Sequence, residues 1–250
     1  MNGPLLTAEL AIYAVLCVPV LYLLVRHSPA GLFGWFYLLA FCTLRMVVGA
    51  VPVSSAGTLS SVGLSPLLLA AAGILHEARF YRGRVNRTPE RTIIAAFHLL
   101  VIVAVGLVGK GASALQSDHH TSKDISLLNA GIGLLTAAWV ILCFWAGVSY
   151  IPGQNDASAP AHRQGTILLY SVTFSLASFG IRVFYTLVAL TTRRPSLSPI
   201  TGSLAVRVVL SFLPELVATL AFLAAGMWTR NALRIRKEKE KENYSGVTIS

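Results

Sequence analysis

Seven apolar stretches, each close to the length that crosses a lipid bilayer, occupy most of this chain of 250 residues. A helix needs about 20 predominantly apolar residues to cross the hydrocarbon layer. Inside that layer no water can satisfy backbone N–H and C=O groups, so each stretch must close its hydrogen bonds internally as a helix. Charged residues make up 12% of the chain, and its mean hydropathy is +0.69. A soluble domain carries about 25% charged residues, so lipid is the expected solvent. The predicted fold is all-α: a polytopic bundle of seven transmembrane helices. The spans fall at residues 5–25, 31–53, 59–75, 92–108, 125–149, 165–190 and 203–228. They form one membrane domain over residues 1–230, followed by a charged tail over 231–250, with no length left for a soluble catalytic domain.

The segments between spans (HSPAG, VPVSSAG, YRGRVNRTPER, SDHHTSKD, PGQNDASAPAH and TTRRPSLSP) are rich in turn formers and polar residues. The span over 59–75 is the shortest and contains Pro66. No internal repeat marks an inverted-repeat transporter. Cys17, Cys42 and Cys143 all lie inside apolar runs and read as small core hydrophobes rather than a disulfide framework. The start, MNGPLLTAEL, lacks the basic region of a cleavable signal peptide.

The net charge of +10 is concentrated in Arg79, Arg82, Arg84, Arg87 and Arg91 and in the tail cations from Arg230 to Lys241. Flanking cations of this kind report topology and contact with anionic headgroups, not nucleic acid. With the N-terminus outside or lumenal, thirteen cations face the cytoplasm, against Lys110, Lys123, Arg193 and Arg194 opposite. The positive-inside rule therefore predicts an external N-terminus and a cytoplasmic C-terminus. The sequons at Asn86 and Asn243 would then be cytoplasmic and unmodified. The tail RIRKEKEKENYSGVTIS reads as a short helical extension with a frayed end, or as a lipid-surface anchor.

Against this apolar background the ionisable residues inside spans stand out: Glu9, Arg45, Arg182, Arg207 and Glu215. A charge in hydrocarbon costs several kcal/mol unless it finds a partner or a water-filled cavity, so each is a candidate functional residue. At 1.5 Å per residue, Glu9, Arg45, Arg182 and Arg207 lie roughly 6–12 Å below the outer boundary, with Glu215 deeper. Four helices thus deliver charge to one half of the bilayer. Glu215 follows Pro214, which removes a backbone donor and should kink the seventh span beside the acid. Without a full countercharge that carboxyl would keep its proton near neutral pH. Tyr185, about one turn beyond Arg182, and Asn129 join as candidate substrate-binding residues.

Each candidate has a plainer explanation. Arg207 is long enough to reach the outer headgroups, and the deeper charges can be pairs that only hold helices in register. His98 suits a hydrogen-bonded core position. Glu77 lies toward the opposite half of the bilayer. Asp118, His119, His120 and Asp124 have metal-ligand side chains without a recognised spacing, so no metal and no cofactor is expected. The aromatics of the fifth and sixth spans suit packing, or a cation held against their faces. The seventh span has no lysine for a retinal Schiff base, and there is no Asp-rich box, HExxH, GxSxG or P-loop.

The stretches GWFYLLAFCTLRMVVGA, GLSPLLLAAAGILHEAR, LLNAGIGLL and VRVVLSFLPELV resemble a family of small, uncharacterised fungal membrane proteins, over nearly the whole chain. The resemblance carries no reaction with it. In architecture the chain is also similar to the fungal membrane-bound terpene cyclases of meroterpenoid pathways, which use buried carboxylic acids to protonate an epoxide or alkene. Their NxxWE pattern is absent here, so the likeness is one of fold and chemistry type. It implies an isomerase-type cyclase of secondary metabolism acting on a lipophilic prenylated substrate in the endoplasmic reticulum. The likeness carries over no catalytic residue, and it is the acid beside the expected kink that points to Glu215, with Glu9 second, as proton donor. Arg45, Arg182, Arg207, Tyr185 and Asn129 would hold the substrate. The alternatives are a carrier for a small anion or amphiphile, and a receptor or scaffold with structural ion pairs. Bilayer lipid and copies of the same chain are the other expected partners.

Overall fold

The computed structural model describes residues 3–50, 63–83, 87–114, 122–151, 161–192 and 204–247. The helices are α1 (Gly3–Arg26), α2 (Leu32–Ala50), α3 (Leu64–Tyr81), α4 (Arg87–Ala114), α5 (Ser122–Tyr150) and α6 (His162–Thr192). The short α7 (Leu204–Arg207) runs into a π-helical turn (Val208–Phe212), then α8 (Leu213–Thr229) and α9 (Ala232–Val247). No strand occurs among the described residues. The protein is an all-helical bundle of long apolar helices. The Asp118, His119, His120 loop and the start of the expected third span lie outside the described residues.

Six of the helices are individually long and apolar enough to cross a membrane. Their large apolar side chains face outward: Val15, Val18, Phe144, Phe33 and Leu99 are all more than 60% exposed. In water such a surface would be an aggregation liability; against lipid tails it is the expected exterior. The expected third span is a different kind of element. Helix α3 buries 14 of its 18 residues, and it packs against α2, α4, α5 and α6. Its run of Leu, Ala and Gly is apolar all round, as a helix enclosed by other helices must be. It continues past Leu75 through Glu77 and Arg79, because both find partners within the bundle.

Close crossings depend on small residues, as helix packing in lipid requires. A β-carbon on Gly34 of α2 would lie 2.7 Å from the backbone nitrogen of Ile74 in α3. A β-carbon on Gly111 would sit equally close to Leu128 of α5. The remaining contacts run α1 on α2, α4 on α5, α5 on α6 and α6 on α8, with α1 also touching α8. This packing brings the N-terminal part of α1, the C-terminal half of α2, the C-terminal part of α6 and the start of α8 into one layer.

Candidate functional site

That layer holds a chain of alternating charges. Glu215, fully buried at the start of α8, pairs through Oε2 with Nη2 of Arg45 and through Oε1 with Nη1 of Arg182. Nη1 of Arg45 also faces Oε2 of Glu9 at 3.5 Å. Nη1 of Arg182 donates to the Ser211 hydroxyl at 2.9 Å. Acid, base, acid, base: the formal charges cancel, and the four side chains come from four helices. Every member is at least 90% buried, so an uncancelled charge here would be severely penalised.

Local backbone explains how α6 and the seventh span meet. In the π-helical turn hydrogen bonds step to the fifth residue, widening the helix just before Pro214. Pro214 occupies the first turn of α8, where its missing N–H removes little hydrogen bonding. Ser211, the last polar residue before this junction, and Glu215 both turn toward Arg182. A change of helix type, from π to α, stands at the proline where the sequence predicts a kink. The expectation that Glu215 lacks a full countercharge does not hold: two guanidiniums flank its carboxylate.

Aromatic rings close one side. The guanidinium of Arg45 lies 5.5 Å from the ring centre of Phe41. Tyr13, one turn along α1 from Glu9, packs edge-on against Phe41 at 5.4 Å and Phe212 at 6.3 Å. Its buried hydroxyl has no hydrogen-bond partner among the described residues. Apart from its helical spacing from Glu9, nothing in the sequence singles out this tyrosine. Tyr185 is buried on α6 near Arg182. Asn129 is not part of the cluster, because its face of α5 is exposed. Arg207 ends α7, and its side chain lies outside the described residues.

A second buried polar group lies at the opposite end of the bundle. His27, in the turn after α1, approaches Glu77 Oε1 through Nδ1 at 2.5 Å and the Gly226 carbonyl through Nε2 at 3.1 Å. With Glu77 ionised both partners accept, an arrangement that favours a proton on each ring nitrogen. Trp35 Nε1 donates to the other carboxylate oxygen of Glu77 at 2.9 Å. Burial opposes the charged ring, but the hydrogen bond and charge of Glu77 and the Gly226 carbonyl outweigh it, raising the pKa of His27. Nearby, Glu90 gathers Arg79 at 3.0 Å and His76 at 3.1 Å. Ser149 takes a bond from each of Arg79 and Arg82. His98 bonds the Ile94 carbonyl at 2.7 Å, as a core histidine does.

Among the described residues no group of three or more histidine, cysteine, aspartate or glutamate side chains is placed to hold a metal ion. The chemistry on offer in the membrane layer is therefore that of guanidinium, carboxylate, phenol and hydroxyl. Comparison with curated proteins and with solved structures finds no match. A family model does match, over residues 4–232. The chain belongs to the family described as a domain of unknown function, DUF7702.

Proposed function

We propose that the bundle binds the anionic head of a lipid-soluble small molecule at Arg45 and Arg182 and carries it through the membrane. The observation behind this reading is the convergence of two buried guanidiniums on the single carboxylate of Glu215. A carboxylate or phosphate on an amphiphile offers both arginines the acceptors that Glu215 offers now. As the ligand's anion takes the place of Glu215 on the arginines, Glu215 takes up a proton, so the layer stays neutral and opening the site would not strand a cation in hydrocarbon. The π-helical turn beside the site supports the reading, since such turns recur where a helix must yield. In this account Arg45 and Arg182 bind, Ser211 orients Arg182, and Glu215 is the resident counter-ion. An external N-terminus and a cytoplasmic C-terminus are part of the proposal, on the distribution of cations.

A cyclase in the endoplasmic reticulum, acting on a prenylated substrate, is the second reading, favoured by the unpartnered Tyr13 hydroxyl and the rings of Phe41 and Phe212. Its link to fungal meroterpenoid enzymes rests on the likeness read from the sequence alone. The proton donor in that reading is Glu9, whose contact with Arg45 is the longest in the chain of charges. Its proton would pass to an epoxide oxygen as the C–O bond breaks. The π electrons of a substrate alkene would form the new C–C bond, and a substrate proton would return to Glu9. The product is an isomer.

Proteoliposomes loaded with a radiolabelled prenyl monophosphate, whose charge opposes unaided crossing, test the carrier. Efflux is expected, and Arg182→Gln should lower it about tenfold or more, by loss of a charge-assisted hydrogen bond. Arg182→Lys, with an unchanged melting temperature, separates loss of transport from loss of fold. Absence of efflux overturns the carrier. Conversion of a prenylated aryl epoxide to a product of equal mass and new retention time would put the cyclase in its place.

A further inference from the structure

At the end of the bundle opposite the chain of charges, α1, α8 and α9 leave a cavity of about 420 Å³ lined by Arg26, Arg230, Leu233, Arg234, Lys237 and Glu238. Four cations and one acid surround it, and the acid is tied to Arg234 at 2.7 Å. The wall is built rather than a chance cluster. Nη2 of Arg26 donates to Asn231 Oδ1 at 2.9 Å, joining the end of α1 to the turn before α9. Ala232 is buried, and Arg236 stacks 3.9 Å from the ring centre of Phe80, which fixes α9 beneath α3.

Depth in the membrane identifies the occupant. One residue before Arg26, Val25 is 70% exposed, and two residues before Arg230, Trp228 is 76% exposed. Apolar side chains that point outward this close to the cavity belong to the lipid-facing surface. A tryptophan at the end of a span marks the headgroup boundary. The cavity therefore opens at headgroup depth, beside the hydrocarbon. A diester headgroup with a single net charge leaves most of these cations unused. A headgroup that also carries a phosphomonoester brings enough charge and oxygen acceptors for several of them.

We propose that this cavity binds the phosphomonoester-bearing headgroup of an anionic phospholipid, with Arg26, Arg230, Arg234 and Lys237 around the phosphate and the acyl chains lying along Val25 and Trp228. The site is independent of the chain of charges at the other end.

Binding of dioctanoyl phosphatidylinositol 4-phosphate to the purified full-length chain in detergent, followed by native mass spectrometry, tests the assignment. Dioctanoyl phosphatidylserine, dioctanoyl phosphatidylcholine and soluble inositol 1,4-bisphosphate serve as the other arms. The phosphorylated lipid should bind at least tenfold more tightly than either other lipid. The double variant Arg230→Gln with Lys237→Gln should weaken that binding about tenfold or more. Lys123→Gln with Lys239→Gln, which removes the same charge outside the cavity, should change it less than twofold. Both variants should melt where the parent does. Equal weakening by the two double variants, or equal binding of phosphatidylserine, would reduce the cavity to general electrostatics and overturn the proposal. Full competition by inositol 1,4-bisphosphate at the lipid's own affinity would overturn the lipid as the ligand and leave free phosphate in its place. A pocket variant that melts early is replaced by Arg230→Lys with Lys237→Arg, which should restore binding; failure to do so at the parent's melting temperature also overturns the assignment.

Discussion

Individual side chains carry most of what distinguishes this protein from a generic apolar bundle. The four charges of the membrane layer were legible in the sequence because Glu9, Arg45, Arg182 and Glu215 interrupt runs that are otherwise apolar. Their pairing was not legible, because any of the acids can answer either arginine until the helices are placed. Ser211 and Tyr13 were missed for a related reason: a serine or tyrosine in an apolar helix is commonplace and gives no signal of its own. His27 lay in a segment that read only as a turn, and its two acceptors come from 50 and 199 residues away. That pairing carries a pH dependence. A folded-state value raised above the unfolded one means the stabilisation is complete below about pH 6.5, the ordinary value for an unfolded histidine. It is lost as the pH rises through the raised value. Melting temperature measured from pH 5 to 9 should therefore fall across that window in the parent. His27→Gln should start lower and stay flatter, and an unchanged slope would remove His27 from the account.

At the level of helices, the apolar period and length gave the existence of the long elements, but not the status of α3. Its sequence differs little from a lipid-facing span, yet it is enclosed by neighbours. What separates it is the size of its residues: Ala70, Ala71, Ala72 and Gly73 let other backbones approach, and proximity is a property of pairs that one segment does not disclose. The expected end at Leu75 was likewise set by the charges of Glu77 and Arg79, whose partners on other elements keep the helix running. Two glycine substitutions separate crossing from propensity. Gly34→Ala places a β-carbon 2.7 Å from backbone and should cost about 1–3 kcal/mol by overpacking. Gly133→Ala meets nothing within 4 Å and should instead stabilise α5 by about 0.5–1 kcal/mol. Thermal unfolding of both in one detergent checks the pair, and equal shifts would deny that α2 and α3 cross on small residues.

The whole molecule is polarised along the bundle. One end gathers Arg26, Arg79, Arg82 and Arg234, through contacts with Asn231, Glu90, Ser149 and Glu238. The other half holds a balanced chain of charges across four helices, enclosed by apolar side chains. Glu215 is the hinge of that arrangement, because both arginines depend on it, while Arg45 alone has Glu9 in reserve. Removing Glu215 leaves two guanidiniums to share one acid, a loss of about 3–5 kcal/mol for a broken buried pair. Removing Arg182 as well returns the layer to a neutral Glu9–Arg45 pair. The decisive measurement is a double-mutant cycle of unfolding stability in detergent, over Glu215→Leu, Arg182→Met and the two together. The double variant is predicted to be more stable than Glu215→Leu alone, with a coupling of about 1–3 kcal/mol. Losses that simply add would contradict the ion-pair chain on which the binding proposal stands.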